Sequence, residues 1–289
     1  MLFDILRLIR PAQWLKNGIM VLALVFAGEL NHPEKVGLTL LAIAIYCLLS
    51  SAVYTFNDLI DIERDQKHPR KKNRPLAAGR VTPGTAIVLT LFLAVAGLVS
   101  AWFMNLAFFY SAIVFLTLNV LYSLHLKNLI IVDVLAVAMS FVVRAYAGAF
   151  AIDVPASTWM LINTLLLALF LGLGKRRYEL VWLEDSAAHR KTLSMYSSAL
   201  LDQFIAVVTA AIIVIYMLYS FSTEVSVKLG TDNLFVTIPF VIYGLFRYLY
   251  LIHREDQGGS PTQVLISDKP ILLTVMLWLI TASLVLYVI

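Results

Sequence analysis

The sequence has one cysteine, Cys47, and little charge: Asp, Glu, Lys and Arg make up 14% of its 289 residues. A lone cysteine excludes an internal disulfide, and its place inside an apolar run makes it a small core residue. So little charge excludes a water-facing globular surface. There is no Gly-rich Walker loop and no Gly-x-Ser-x-Gly elbow, which removes P-loop and serine-hydrolase chemistry. The histidines, His32, His68, His125, His189 and His253, are scattered without the spacing of a zinc site. No charged-then-apolar leader with a small-residue cleavage site opens the chain, so the first apolar stretch is expected to be retained. The net charge of +4 does not point to nucleic acid, because its distribution follows membrane topology.

What is abundant is apolar sequence, at 61%. The chain reads as an all-α, polytopic membrane protein. A span needs roughly 20 apolar residues to cross a hydrocarbon core of about 30 Å. On that ruler nine spans are expected, near 15–30, 36–56, 83–103, 106–124, 129–151, 157–173, 204–222, 234–251 and 270–288. The connections after the even-numbered spans, 57–82, 125–128, 174–203 and 252–269, hold the charge. Of 22 Lys and Arg, only Lys35 and Lys228 fall in the other set of connections. The positive-inside rule therefore places the N-terminus and the charged loops in the cytoplasm of a plasma (inner) membrane protein, and the C-terminus outside. No motif specifies an oligomer, and a homo-oligomer stays open.

The densest charge lies at residues 57–80, NDLIDIERDQKHPRKKNRPLAAGR. Asp58, Asp61 and Asp65 are spaced i, i+3, i+7, which puts three carboxylates on one face of a helix. With Asn57 beside them they form an oxygen-rich site for a hard divalent cation, Mg²⁺. The bases that follow suit phosphate. An exposed acidic helix end is the plain alternative, but Asn57 and Asp58 directly follow the apolar run SAVYTF, where desolvation is costly. Glu63 falls off the three-acid face.

Three further runs carry charge at membrane depth. GKRRYE, 174–179, places Lys175, Arg176 and Arg177 at the end of span six, with Arg190, Lys191 and Tyr196 in the same loop. It reads as a second basic wall opposite the first, or as snorkelling anchors. YSLHLKNLIIVD, 122–133, supplies Tyr122, Lys127 and Asn128 at a short turn, then Asp133 at the start of a span. Asp133 and Arg144, too far apart to pair within one helix, are each expected to meet a partner on another helix. IRPAQWLKN, 9–17, puts Arg10 and Lys16 at headgroup depth beside an interfacial Trp14, as an anchor or a contact to a lipid phosphate.

The pattern Asn57-Asp58-x-x-Asp61-x-x-x-Asp65 resembles the first signature of the UbiA superfamily of intramembrane prenyltransferases. Nine spans with charged loops after spans two and six are similar as well. The resemblance implies one domain over 1–289, a helical bundle around a central cavity, with catalytic loops near 57–82 and 174–203 and Mg²⁺ holding a diphosphate. The chain departs from that pattern at the end of span six. Where the superfamily usually carries a second DxxxD-type motif, it reads GKRRYEL, basic apart from Glu179. This suits a donor with more anionic groups than one diphosphate. IRPAQWLKN, the 57–80 run, GKRRYEL and RKTLSMY resemble a phosphoribose-transferring branch of the superfamily.

That branch implies 5-phosphoribosyl 1-diphosphate as donor and a polyprenyl phosphate as acceptor, and in actinobacteria such a product feeds cell-wall arabinan synthesis. Asp58, Asp61 and Asp65 would hold Mg²⁺, and Asn57 would orient the diphosphate or ribose. Lys175, Arg176 and Lys191 would meet the donor's 5-phosphate, with Tyr196 in the same loop as a further substrate contact. Arg74, Tyr122 and Lys127 would meet the diphosphate, and Lys16 or Arg10 the lipid phosphate. The nearest alternative is a true prenyltransferase acting on an aromatic or other acceptor. A transporter places charge at the midplane on interrupted helices, whereas charge here crowds one mouth. A non-catalytic assembly factor would lack metal-dependent donor binding.

Overall fold

A computed structural model describes residues 2–67, 71–182, 191–254, 264 and 267–287. The described residues are helical, with no strand among them. In chain order they form α1 (Leu2–Leu8), a 3₁₀ segment (Pro11–Met20), α2 (Val21–Phe26), α3 (Pro33–Ile60), α4 (Ile62–Lys67), α5 (Pro83–Met104), α6 (Leu106–Leu124), α7 (Val132–Ala151), α8 (Thr158–Trp182), α9 (Ser198–Ser220), α10 (Thr223–Leu229), α11 (Ile238–Arg254) and α12 (Lys269–Tyr287).

Among the described residues, eight helices are long and apolar enough to cross a membrane, and the chain is a multi-pass membrane protein. They match the second to ninth expected spans. The first, expected over 15–30, is built differently, as the 3₁₀ segment followed by the short α2. Ten residues at about 2.0 Å rise and six at about 1.5 Å still reach about 29 Å, close to a hydrocarbon thickness. Pro11 sits where a first turn has no use for its missing N–H, and Gly28, in the left-handed region at φ 77°, follows the end of α2.

The chain divides into two compact units, one of residues 1–24 and 30–156, the other of 25–29 and 157–289. In the first, Tyr46, Leu49, Phe108 and Phe115 are fully buried and form the centre of the core with Met20 and Ala147. Tyr46 packs its ring against Phe108 and Phe115 and shares a 3.0 Å hydrogen bond with Ser111. Small residues set the helix spacing. A Cβ on Gly148 would lie 2.6 Å from the Met20 carbonyl oxygen and 2.8 Å from its Cα, so only glycine lets α7 touch the backbone of the 3₁₀ segment. That contact places Arg144, one turn earlier on α7, beside Asn17.

In the second unit, Tyr216, Tyr219, Leu234 and Val285 are buried against Phe26, Trp159 and Trp278. Trp278 donates to the Tyr216 hydroxyl at 2.8 Å, and that hydroxyl lies 2.7 Å from Thr237 Oγ1. Asp268 caps α12 by accepting from the Ile271 N–H at 2.9 Å. Arg247 fixes the same carboxylate with bonds of 3.4 and 2.8 Å.

Candidate functional site

α3 does not run on as one straight helix through its acids. It ends at Ile60, Asp61 sits in a turn at φ −100°, ψ 11°, and α4 begins at Ile62. The Asp61 and Asp65 amides still bond four residues back, at 3.1 and 2.8 Å, so the break is a kink rather than a reversal. Asp58 and Asp65, seven residues apart, stay on one face, and both are buried. Their oxygens share one nitrogen. Arg74 Nη1 lies 3.0 Å from Asp58 Oδ1 and 2.5 Å from Asp65 Oδ2. Asp61 turns elsewhere, with Oδ1 accepting from Lys127 Nζ at 2.7 Å and facing Arg64 at 3.7 Å. The structure thus joins two of the three expected carboxylates on a common point and sends the third to Lys127, itself buried in the 3₁₀ turn Leu126–Asn128.

Arg74 is held by its loop. Leu76 and Val81 are buried with Leu8 and Ala86, against Leu59 and Ile62. Gly79 takes φ 69° so the chain can turn, and the Arg80 and Val81 amides bond back to the Pro75 carbonyl at 2.9 and 3.2 Å. Arg80 pins the turn to Asp4 and to the Asn73 carbonyl, at 2.8 and 2.7 Å. Arg10 meets Asp58 from the other side, in an ion pair with Oδ1. Its backbone is left-handed, φ 52°, ψ 64°, a costly conformation for a non-glycine residue. Asn57 is half-buried beside this centre, and Tyr122 is half-buried on the last turn of α6. His68 and Arg70 lie outside the described residues.

A polar network continues deeper in the same unit. Asn17 Oδ1 accepts from Arg144 Nε at 2.9 Å and from Ser50 Oγ at 3.2 Å. Arg144 Nη1 donates to the Ser140 carbonyl and hydroxyl at 3.0 and 2.8 Å. Its guanidinium lies over Phe115 and Phe141, 4.5 and 5.3 Å from their centroids. The partner expected on another helix is therefore an amide, not an acid. Asp133, expected likewise to need a partner, is fully buried in the first turn of α7. Lys16 is half-buried, its Nζ 5.9 Å from the Tyr54 ring centroid, and Arg10 lies over the same ring at 5.4 Å. Sequence alone left Arg10 at headgroup depth; its bond to Asp58 depends on a backbone angle that no residue-type rule announces.

In the second unit, Arg176 is buried and pairs with Glu179, which also faces Lys175 at 3.8 Å. Arg177 pairs with Asp202, donates to the Ile252 carbonyl at 3.1 Å, and shares Asp202 with His253. Tyr196 is buried. The side chain of Lys191, Arg190 and the stretch 183–190 lie outside the described residues. Among the described residues, the bases at the end of α8 thus lie beside acids, Glu179 on the same helix and Asp202 on α9.

The donor set suits a hard cation. Asp58 and Asp65 offer carboxylate oxygens to the point now held by Arg74 Nη1. Among the described residues no three acids or histidines close on one point. Two carboxylates are a number that Mg²⁺ can use together with waters and phosphate oxygens.

Comparison with known proteins gives three findings. Residues 18–267 match the model of the UbiA prenyltransferase family. A decaprenyl-phosphate phosphoribosyltransferase of Mycolicibacterium smegmatis is 32% identical, with 98% of this chain and 92% of that protein covered. One of Mycobacterium tuberculosis is also 32% identical, covering 96% and 93%. Among solved structures, a UbiA homolog from Archaeoglobus fulgidus bound to GPP and Mg²⁺ superposes with a TM-score of 0.73 at 20% identity, covering 99% of this chain and all of that one. At that identity the likeness establishes the fold.

Proposed function

This chain belongs to the UbiA prenyltransferase family, and from that premise we propose that it is a membrane glycosyltransferase moving 5-phosphoribose from 5-phosphoribosyl 1-diphosphate to a polyprenyl phosphate. One observation carries the reading: similarity to decaprenyl-phosphate phosphoribosyltransferases runs through 98% of the chain at 32% identity. The geometry supports it. Asp58 and Asp65 present oxygens to one point, Arg10 and Arg74 pair with these carboxylates, and Lys127 pairs with Asp61. The acidic groups suit a metal and the basic groups suit the diphosphate that the metal would accompany.

Asp58, Asp61 and Asp65 would hold Mg²⁺, directly or through waters. Bound there, the ion supplies charge neutralisation to the departing diphosphate. The chain's own groups do the rest. Arg74 and Lys127 bind diphosphate oxygens, and Asn57 offers its amide to the diphosphate or ribose. The anomeric C–O bond breaks with its electron pair leaving on diphosphate. The acceptor's phosphate oxygen then bonds to C1. That oxygen is already anionic, so no proton has to be removed. Positive charge developing on the ribose is met by positioning and electrostatics rather than by a base. Lys175, Arg176, Lys191 and Tyr196 are carried forward from the sequence as phosphate contacts. The N-terminus and the acidic loop are assigned to the cytoplasm by the lysine and arginine bias.

Purified protein incubated with labelled phosphoribosyl diphosphate, a polyprenyl phosphate and Mg²⁺ tests the proposal. Label in the lipid phase with release of diphosphate is expected. Prenyl transfer from a prenyl diphosphate, with no phosphoribosyl transfer, would install the prenyltransferase alternative instead.

A further inference from the structure

Two cations of the first unit have no acid within ion-pair distance among the described residues. Arg144 is 4% exposed and bonds only to neutral groups: Asn17, and the carbonyl and hydroxyl of Ser140. Its Nε and Nη1 are used. Its Nη2 makes no hydrogen bond among the described residues. Lys16 has the Tyr54 ring as a neighbour and no carboxylate within ion-pair distance among the described residues. A charge held inside the apolar part of a membrane protein is costly. The faces of Phe115 and Phe141 offset part of that for Arg144. The remainder is unexplained by packing.

The order of these groups along α3 is informative. Asp58 is met by Arg10. Tyr54, one turn earlier, is met by Arg10 and Lys16. Ser50, another turn earlier, shares Asn17 with Arg144. Ser50 is eight residues before Asp58, about 12 Å along the helix. A flight of three cations thus descends from the carboxylate centre, and only the top one is neutralised. Asn17 fixes the Arg144 fork by accepting from Nε, and the Gly148 contact with Met20 fixes Asn17 against α7. The arrangement is preorganised rather than mobile.

We propose that Lys16 and Arg144, oriented by Asn17, form a site for a phosphate monoester lying deeper than the Asp58–Asp65 centre. The inference rests on the transferase reading above and assigns Arg144 to its site. A guanidinium with a free terminal nitrogen beside an ammonium matches the charge and fork geometry of a dianionic phosphate. Two groups in the proposed reaction have that chemistry: the head of the lipid acceptor and the 5-phosphate of the donor.

The test uses full-length protein in detergent, with Trp14 fluorescence as the binding signal, since its Nε1 donates to Ser51 Oγ at 3.0 Å, next to this network. The probes are farnesyl phosphate and ribose 5-phosphate. Lys16→Gln and Arg144→Gln are each expected to raise the dissociation constant of one probe about tenfold or more and leave the other within twofold. Loss of farnesyl phosphate assigns the site to the acceptor; loss of ribose 5-phosphate assigns it to the donor. Arg144→Lys, which keeps the charge and loses the fork, is the second variant should Arg144→Gln not fold, and is expected to weaken the same probe. Unchanged affinity for both probes in folded Lys16 and Arg144 variants overturns the site. If wild type still transfers phosphoribose in that case, the proposed function stands and only the site falls. If wild type neither transfers nor binds either probe, both fall.

Discussion

Lys127 donates to Asp61 Oδ1 at 2.7 Å across 66 residues of sequence, tying the short turn after α6 to the kink after α3. Both side chains are largely shielded, so the pair is stronger than an exposed one. Lys127→Met is expected to lower kcat/KM about 100-fold by removing a positioned cation from the diphosphate. A double mutant with Asp61→Asn should fall well short of the two single losses combined, because the residues act as one unit. Steady-state kinetics of the four proteins checks this.

Asp58 and Asp61 are expected to differ on substitution, although both should lose transfer. Asp58 is 2% exposed under two arginines, so Asp58→Ala leaves Arg10 without its carboxylate and Arg74 with Asp65 alone, and is expected to cost about 3–5 kcal/mol. Asp61 is more exposed, and Asp61→Ala is expected to cost less stability than Asp58→Ala while losing activity. Thermal unfolding in detergent beside an activity assay separates the two.

Chelating the metal should stop transfer and leave the fold in place. Arg10, Arg74 and Lys127 already neutralise the three carboxylates, so no cluster of bare negative charge remains to push the helices apart. Transfer should return on adding Mg²⁺, while helical circular dichroism stays constant throughout.

Gly148→Ala is expected to destabilise by about 1–3 kcal/mol, since the new methyl meets backbone that cannot step aside. Gly97→Ala should cost less, because the new atom meets side-chain atoms of Leu49, Cδ2 and Cγ at 2.6 and 2.8 Å, rather than backbone. Melting temperatures of the two variants give the ranking.

The Asp268 carboxyl is held below the usual carboxylate range, first by its hydrogen bonds from Arg247, with the Ile271 amide adding to them. A depressed value in the folded state means the carboxylate stabilises the fold above the ordinary range, and that this is lost as pH falls through the depressed value. Asp268→Asn should cost about 1–2 kcal/mol at neutral pH, the size of a helix cap. The gap to wild type should close below about pH 4. Unfolding curves across pH measure it.

The membrane helices were legible because apolar runs of this length admit one structure, and α6 falls on its expected bounds, 106–124. The aspartates were legible for a similar reason, since their spacing alone puts Asp58 and Asp65 on one face. What sequence could not show is pairing at long range. Asp61 parts from its neighbours because of the kink at its own backbone, and Arg10 reaches Asp58 through a left-handed angle before Pro11. Arg74 sits at the centre because Leu76 and Val81, an apolar pair inside a basic loop, bury themselves beneath it. The first expected span differs in kind, since residues 11–20 form a 3₁₀ segment, whose rise per residue is greater than that of an α-helix.

The bridging nitrogen of Arg74 has a consequence for how substrates arrive. Three aspartates matched by Arg10, Arg74 and Lys127 leave that centre near electrical balance, and a balanced centre casts little field beyond a Debye length. An anionic donor is then not drawn in from afar by this cluster, and attraction that fades with ionic strength must come from exposed bases such as Lys72 on the same loop. In the proposed reaction, capture would be an exchange at contact, in which a phosphate oxygen that gains an arginine frees an aspartate oxygen to hold the metal.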